Sequence, residues 1–333
     1  MNEKVIVALD AMGGDYAPVE TVKGAVEAVN AYSNIDIILV GKEELIKKEL
    51  ANYDYEKERI SIENATQIID MGEVPTLAIR EKKDSSLVVA LKLVRENKAD
   101  ACVSAGSTGA VLVGGQVIVG KLKGVKRPAL APFLPSPNGM SLLIDCGANV
   151  DAKPENLVQF AQMGSVYYEN VLGKKNPTVG LVNIGVEEEK GNKLIKETYP
   201  LLKENKSINF IGNVEARDIS GGGKADVLVT EAFVGNVILK FFEGVAKTFL
   251  KEIKKGVMSS LKTKIGGVLV KPALKGLVNT FDSSSQGGAP LLGLKGLVVK
   301  AHGNSTSAEI KTAIYQCIAF KENSINEKIQ KII

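Results

Sequence analysis

The sequence predicts an α/β protein built on a mainly parallel sheet with helices on both faces, and three observations carry that prediction. Apolar runs of strand length recur along the chain, amphipathic stretches separate them, and most runs end in small or polar residues just before a helical pattern begins. Strands that are apolar at nearly every position are buried on both sides, which is the property of parallel sheets covered by helices.

The elements follow in order. Val5, Ile6, Val7, Ala8 and Leu9 form the first run, which passes directly into the loop DAMGGD, residues 10 to 15. Pro18 to Ala31 carries apolar residues at helical spacing, and IDIILVGKE from Ile35 supplies the next strand. ACVSAGSTGA from Ala101 and SLLIDCGANVD from Ser141 repeat the pattern, with a second amphipathic stretch from Glu155 to Tyr168. VGLVNIGVEEEKGN, INFIGNVEARD, DVLVTEAFVGN and LVVKAHGNSTSAE complete the series.

Composition limits what such a fold can be. With 333 residues, 45% of them hydrophobic, the chain can bury a full core, and one domain spanning 1–333 is expected. Cys102, Cys146 and Cys317 are far apart, odd in number and form no C-x-x-C, so neither a disulfide framework nor a zinc site is expected and a reducing cytoplasm fits. No signal peptide or membrane span is read from the sequence. A net charge of +4 and the lack of Trp argue against nucleic-acid binding. The charge is uneven, however: between Val245 and Thr280 eight lysines face Glu252 alone, so that segment carries +7 and the rest of the chain −3.

In parallel sheets ligands sit outside the carboxyl ends of the strands, where backbone N–H groups are free. Gly13 and Gly14 let the first loop approach a ligand closely, although Asp15 could simply cap the following helix. Repetition favours a ligand: SAGSTGA, DCGAN, NIG, GNVEARD and FVGN are all Gly/Ser/Thr/Asn clusters at strand ends, and such convergent donors fit an anion, most simply phosphate. No G-x-G-x-x-G follows the first strand and no P-loop is present, Gly222-Gly223-Lys224 being broken by Ala225, so dinucleotides and nucleoside triphosphates are disfavoured. Arg80, Lys82 and Lys83, just before Ser85 and Ser86, are cations that could neutralise an anion or merely solvate a helix end.

Taken together, DAMGGD, REKKDSS, SAGSTGA, RPALAP, DCGANVDAKPENLVQFAQMG, NIGVEEEKGN, FIGNVEARDI, FVGNVILK, GGAPLLG and AHGNS closely resemble the PlsX family, the bacterial phosphate acyltransferases of phospholipid synthesis. The resemblance runs from the first strand to about Ser307. It implies a three-layer α/β/α fold similar to isocitrate and isopropylmalate dehydrogenases and to phosphotransacetylase, and a homodimer. It also implies transfer of a fatty acyl group from acyl carrier protein to inorganic phosphate, the acyl phosphate then passing to a membrane acyltransferase. Three positions depart from the family pattern: Ser107 stands where Asn is expected, Glu231-Ala232-Phe233 replaces DGF, and Tyr16 takes a place often held by His. Ser107 still offers a hydroxyl to an anion and Glu231 keeps the charge of Asp, whereas Tyr16 argues against a general base at that point.

Phosphate is itself a nucleophile, so attack on a thioester requires no metal, cofactor or covalent enzyme intermediate; the site must position phosphate and stabilise an oxyanion and a departing thiolate. His302, the single histidine, follows the strand LVVKA and is the candidate acid, with a loop-fixing histidine as the alternative; Lys83 and Asn236 complete the catalytic candidates. Phosphate or substrate binding is expected from Asp10, Gly13, Gly14, Asp15, Arg80, Lys82, Ser85, Ser104, Ser107, Thr108, Asn149 and Asn183. Asp10 and Asp15 are expected to orient lysines, hold loop N–H groups or accept the phosphate proton. An acyl-cysteine route through Cys102 or Cys146 is the weaker chemistry.

The segment 245–280 is expected to form a basic amphipathic helical hairpin interrupted at Pro272, with Val257, Leu261, Ile265, Val268 and Leu269 as an apolar stripe. That stripe would serve a partner subunit or a membrane surface, and its lysines could alternatively dock the acidic carrier protein. A cytoplasmic enzyme held peripherally at the inner face of the cell membrane is the resulting expectation. A short-chain phosphotransacetylase using coenzyme A, a metal- and nicotinamide-dependent dehydrogenase and a non-catalytic scaffold for lipid enzymes are the competing classes.

Overall fold

The apolar runs form strands, but they sort into two sheets rather than one. The computed structural model describes residues 4–136, 139–220, 224–281 and 287–333; Gly222 and Gly223, the nearest approach to a P-loop, lie outside them. In chain order the strands are β1 (Val5–Asp10), β2 (Ile35–Gly41), β3 (Ile60–Asn64), β4 (Ala101–Ser104), β5 (Ala129–Leu130) and β6 (Phe133–Ser136). They continue with β7 (Gly139–Ile144), β8 (Thr178–Asn183), β9 (Asn209–Glu215), β10 (Val227–Val229), β11 (Ala289–Leu292) and β12 (Leu297–Lys300). The helices are α1 (Val19–Ala31), α2 (Glu43–Leu50), α3 (Pro75–Glu81), α4 (Ser86–Arg95), α5 (Thr108–Gly114) and α6 (Pro154–Leu172). After them come α7 (Lys193–Glu204), α8 (Ala216–Ser220), α9 (Ala232–Val257), α10 (Leu261–Phe281), α11 (Ser307–Glu322) and α12 (Ile325–Ile332).

The first sheet runs β3-β2-β1-β4-β12-β11-β5, parallel as far as β12 and antiparallel at β11 and β5. The second runs β6-β7-β10-β8-β9, parallel except for β6. The expected parallel character therefore holds within each sheet. The strand ends do not share one edge, because the chain leaves the first sheet after β5 and returns to it only at β11.

Burial explains the layering. Val7, Leu9, Ile37 and Leu39 on one face of the first sheet pack against Val22, Ala25, Ile310 and Ile314 from α1 and α11. The same cluster continues through Phe160 and Tyr167 of α6 to Leu142, Ile144 and Val179 of the second sheet. Phe133 stacks on Tyr167 at 5.7 Å, and Tyr167 meets Phe320 at 6.3 Å, so aromatic contacts tie α11 to both α6 and the second sheet. On the opposite face of the first sheet Ala8, Cys102 and Val298 meet Leu91 and Val111 of α4 and α5. Leu143, Val182 and Leu228 cover the outer side of the second sheet against Ile238, Leu239 and Phe242 of α9. Each Val, Leu, Ile or Phe among them contributes roughly 1.5–3 kcal/mol when fully buried. The result is a three-layer α/β/α arrangement of mainly parallel sheets.

Helix starts are chemically marked. Ser85 accepts a hydrogen bond from Val88 N at 3.4 Å, Asn192 accepts from Ile195 N at 3.0 Å, and Glu231 accepts from Phe233 N and Val234 N at 2.6 and 2.9 Å. α9 and α10 form a hairpin, as expected, but its turn falls at Met258–Ser260 and not at Pro272, which lies inside α10. The reason is local: Ser260 Oγ accepts from Thr263 N at 3.2 Å while Thr263 Oγ1 accepts from Ser260 N at 3.0 Å, a reciprocal cap that starts α10 there. Leu261, Ile265, Val268 and Leu269 are exposed along α10, between 61% and 79% accessible. Among the described residues no helix is long and apolar enough to cross a membrane.

Candidate active site

β1, β4 and β12 are neighbours, so the loops DAMGGD, SAGST and AHGN leave the first sheet side by side. Asp10 is buried where they meet. Its carboxylate accepts from Ser104 Oγ at 2.7 Å and from Met12 N at 3.3 Å, and the Ser86 hydroxyl reaches it as well. Burial pushes its carboxyl above the usual range, and these hydrogen bonds pull in the opposite direction. Ser104 Oγ in turn accepts from Gly106 N at 3.1 Å. A Cβ on Gly13 would fall 2.4 Å from Asp10 Oδ2 and 2.8 Å from Gly106 N, so glycine is what allows the first two loops to touch. Gly14 lies against Ala105 and Gly303, and Asp15 N donates to Gly303 O at 2.7 Å, which locks the first loop to the one carrying His302.

The second sheet contributes through Asp145. Its buried carboxylate accepts from Leu130 N, Gly147 N and Ala148 N at 3.0 to 3.1 Å, and from Asn149 N and Nδ2 at 2.8 and 2.7 Å. Asn149 Nδ2 also donates to Pro128 O at 2.7 Å, and Asn149 O accepts from Ala232 N at 3.0 Å. A Cβ on Gly235 would sit 2.0 Å from Asp145 O, so the first turn of α9 presses directly on this loop. That contact aims one face of α9 at the loops of the first sheet.

Between them lies a cavity of about 290 Å³. Thr108, Asn236, Lys240, Glu243, Lys300 and His302 supply its polar wall, and Leu112, Leu130, Phe133 and Leu239 an apolar one. His302 Nε2 stands 3.5 Å from Glu243 Oε1, an oxygen that is buried and, among the described residues, has no hydrogen-bond partner. Lys300 ends β12 opposite Ser104 and is buried; its ammonium is pushed down to about 8 by desolvation, against the pull of Asp10 and Asp15. Cys146 also lines the cavity, but its thiol donates to Leu143 O at 3.4 Å and is raised well above its ordinary value by burial, with Asp145 and Glu243 adding to the rise. It is a packed thiol and not a thiolate.

A larger open depression of about 1120 Å³ lies at the opposite, N-terminal edge of β4 and β12, bordered by Asp100, Ala101 and Leu297. Asp100 there pairs with Lys321 and accepts from Ile6 N. The strand-end loops described above converge on the smaller cavity, which is therefore the candidate site.

Of the residues singled out from sequence, Thr108, Asn236 and His302 line the cavity. Asp10, Gly13, Gly14 and Ser104 form the packed loop base beside it, Asp15 is exposed on the rim of the same loops, and Ser107 is buried at the start of α5. The others serve elsewhere. Lys82 Nζ binds Glu73 at 2.6 Å and Ile68 O at 2.7 Å, Arg80 lies on the surface beside Glu81, and Lys83 is exposed. Ser85 caps α4, Asn149 holds the DCGAN loop, and Asn183 bridges Ile184 N and Lys190 O at 2.8 and 3.1 Å. Glu231, the departure from DGF, caps α9 with both carboxylate oxygens. Sequence reasoning missed Lys300, Lys240 and Glu243. A lysine closing the otherwise apolar run LVVK was the available signal for the first; nothing in the local sequence marked the two helical residues.

Fold and site together define an α/β enzyme in which two mainly parallel sheets share one anion-suited, partly apolar cavity. The chain belongs to the family of fatty acid synthesis proteins, whose model it matches over residues 5–328. It is 52% identical over 327 residues to the phosphate acyltransferase of Clostridium novyi, covering 98% of both chains. A phosphotransacetylase from Streptococcus pyogenes shares the fold with a TM-score of 0.61 at 17% identity, over 96% of this chain and 94% of that one. A 4-hydroxythreonine-4-phosphate dehydrogenase from Klebsiella pneumoniae does so with a TM-score of 0.51 at 13% identity, over 95% and 97%. The family read from the sequence motifs and the expected kinship with phosphotransacetylase and dehydrogenase folds both stand.

Proposed function

We propose that this chain, a phosphate acyltransferase by its family and its full-length relatives, takes a long-chain acyl group from acyl carrier protein and transfers it to inorganic phosphate for phospholipid synthesis. The observation that supports the reading is the cavity, which hydroxyl, amide, ammonium and imidazole groups line together with Leu112, Leu130, Phe133 and Leu239. A charged acceptor and a fatty acyl donor need both kinds of wall in one place.

In the reaction an oxygen of monohydrogen phosphate adds to the thioester carbonyl and a C–O bond forms. The C–S bond then breaks, sulfur departs with the electron pair, and the proton first carried by phosphate ends on sulfur as the thiol. Nothing is oxidised or reduced. Holding phosphate beside the carbonyl removes much of the entropic barrier, and each donor aimed at the oxyanion lowers the rest by about 3 kcal/mol. We read Thr108 and Asn236, which line the cavity, as such donors. We assign the transfer of the proton to sulfur to His302, whose Nε2 lies 3.5 Å from Glu243 Oε1.

The test is incubation of the full chain, in EDTA, with palmitoyl-loaded acyl carrier protein. Free thiol is expected only when phosphate is added. A preference for acetyl-coenzyme A would make the protein a short-chain phosphotransacetylase, and carrier-protein binding without thiol release would make it a scaffold.

The hairpin supports a location and an assembly. α9 carries exposed Phe233, Val237, Phe241, Val245 and Phe249 at a spacing of four, one unbroken apolar ridge suited to a second copy of the chain in a homodimer. α10 carries Leu261, Ile265, Val268 and Leu269 among Lys262, Lys264 and Lys271, a pattern suited to the headgroup region of the inner face of the cell membrane. A cytoplasmic enzyme resting there can hand acyl phosphate to a downstream membrane acyltransferase.

A further inference from the structure

We propose that Lys300 is the phosphate-holding cation of the cavity: a buried ammonium at the end of β12 whose missing counter-charge is the inorganic phosphate acceptor. The inference rests on the reading of the cavity as a phosphate site and adds the residue that binds the anion. Lys300 is 8% exposed and borders the cavity beside Thr108, Asn236 and His302. A lysine ammonium has three donors. Among the described residues its one hydrogen-bond acceptor is the carbonyl of Ala301, and no carboxylate stands within ion-pair distance. Asp10 and Asp15 both attract it, Asp10 the more, yet Asp10's oxygens are engaged by Ser104 Oγ and Met12 N and Asp15 is exposed. A buried charge with unfilled donors is costly unless something pairs with it.

The cations read from the sequence do not meet this need. Lys82 is paired with Glu73, and Arg80 and Lys83 are exposed outside the cavity wall. Lys240 borders the cavity but is exposed on α9. At roughly 30 Å³ per water molecule the cavity volume leaves room for phosphate and a thioester carbonyl together.

Lys300 is pushed down to about 8 by burial, so at pH 9 it is largely neutral in the empty site. A bound dianion restores its proton. The titratable groups around the same space are Lys240, Glu243 and His302 on the wall, Cys146 below, and Asp10 and Asp15 behind. A carboxylate, a neutral imidazole or a neutral amine among them could also take up a proton, so the assignment needs a variant.

Titration of the full chain with inorganic phosphate at pH 9, in two buffers of different ionisation enthalpy, reads affinity and proton uptake together. Wild type is expected to take up close to one proton per phosphate bound. Lys300→Met is expected to lose that uptake and to weaken phosphate binding at least tenfold. The KM for phosphate should rise at least tenfold while the KM for the acyl donor stays within about twofold, and Lys300→Arg should recover part of the affinity. Absence of proton uptake in wild type overturns the proposal even if Lys300→Met does not fold. Unchanged phosphate affinity in a folded Lys300→Met overturns it as well. Lys300-dependent phosphate binding without phosphate-dependent thiol release would sustain the binding residue and refute the acyltransferase reading; phosphate-dependent thiol release with an unchanged KM for phosphate in Lys300→Met would do the reverse.

Discussion

His302 and Glu243 come from the loop after β12 and from α9, 59 residues apart in sequence, and meet at 3.5 Å. An imidazole at that position is suited to donate a proton to a departing thiolate, as the proposed reaction requires. His302→Ala is accordingly expected to lower kcat about tenfold to a thousandfold with the far-UV circular dichroism unchanged; wild-type turnover would assign His302 to loop structure alone. His302 could be read from the sequence because it is the single histidine and closes a strand-end motif. Glu243 could not, since one carboxylate on a long helix gains its meaning only from what faces it. Lys300 has a second consequence, for stability. Its folded value of about 8 lies below the ordinary 10.5, so between those values the unfolded chain binds more protons and the native state gains stability as pH rises. Lys300→Met should therefore exceed wild type in stability by up to about 3 kcal/mol near pH 7, and the difference should shrink as pH rises from 8 towards 10.5. Urea unfolding in phosphate-free buffer at pH 7 and pH 9.5 measures it, and a difference independent of pH would show that Lys300 is charged and solvated in the native state.

At the scale of elements, strands long enough to show an apolar run were legible and short or polar ones were not. β1, β2, β4, β7, β8, β9, β10 and β12 each overlap a run read from the sequence, whereas β5, of two residues, and β3, with its exposed Ser61 and Glu63, carry no such signal. The hairpin was legible as a hairpin, but Pro272 misplaced its turn. The reciprocal hydrogen bonds of Ser260 and Thr263 outweigh a proline that α10 tolerates along an exposed helix. The stripe on α10 is the part of the hairpin with the greatest exposure, Leu261 reaching 76% and Leu269 79%. Replacing Leu261 and Ile265 together by Glu removes apolar area and adds two negative charges beside anionic lipid. Cosedimentation with anionic liposomes is expected to fall at least tenfold while acyl transfer to phosphate in the absence of lipid stays within about twofold. Undiminished sedimentation would remove the membrane role from α10, and loss of soluble turnover without change in sedimentation would move the stripe to carrier-protein docking.

At the scale of the whole molecule, sequence periodicity announced parallel strands and strand-end loops but not their division between two sheets. Periodicity reports which faces are buried and is silent about which strands are neighbours. The order β1-β4-β12 joins segments almost 300 residues apart, and only that order brings DAMGGD, SAGST and AHGN together. The six polar side chains of the cavity come from α5, α9 and the end of β12 with the loop after it, elements far apart in the chain. Assembly is tested separately, on the ridge of α9. Phe233, Val237, Phe241, Val245 and Phe249 are exposed together, and burying a side chain of that size stabilises an interface by roughly 1.5–3 kcal/mol before the cost of association. Phe241, 72% exposed at the middle of the ridge, is the residue whose replacement by Glu places a charge at the centre of such a contact. Light scattering is expected to give a dimer for wild type and a monomer for Phe241→Glu, with calorimetric phosphate affinity unchanged within about twofold. A wild-type monomer, or a dimer that survives Phe241→Glu, would move the subunit contact off α9, and loss of phosphate binding in a folded monomer would show that the second copy holds the cavity in shape.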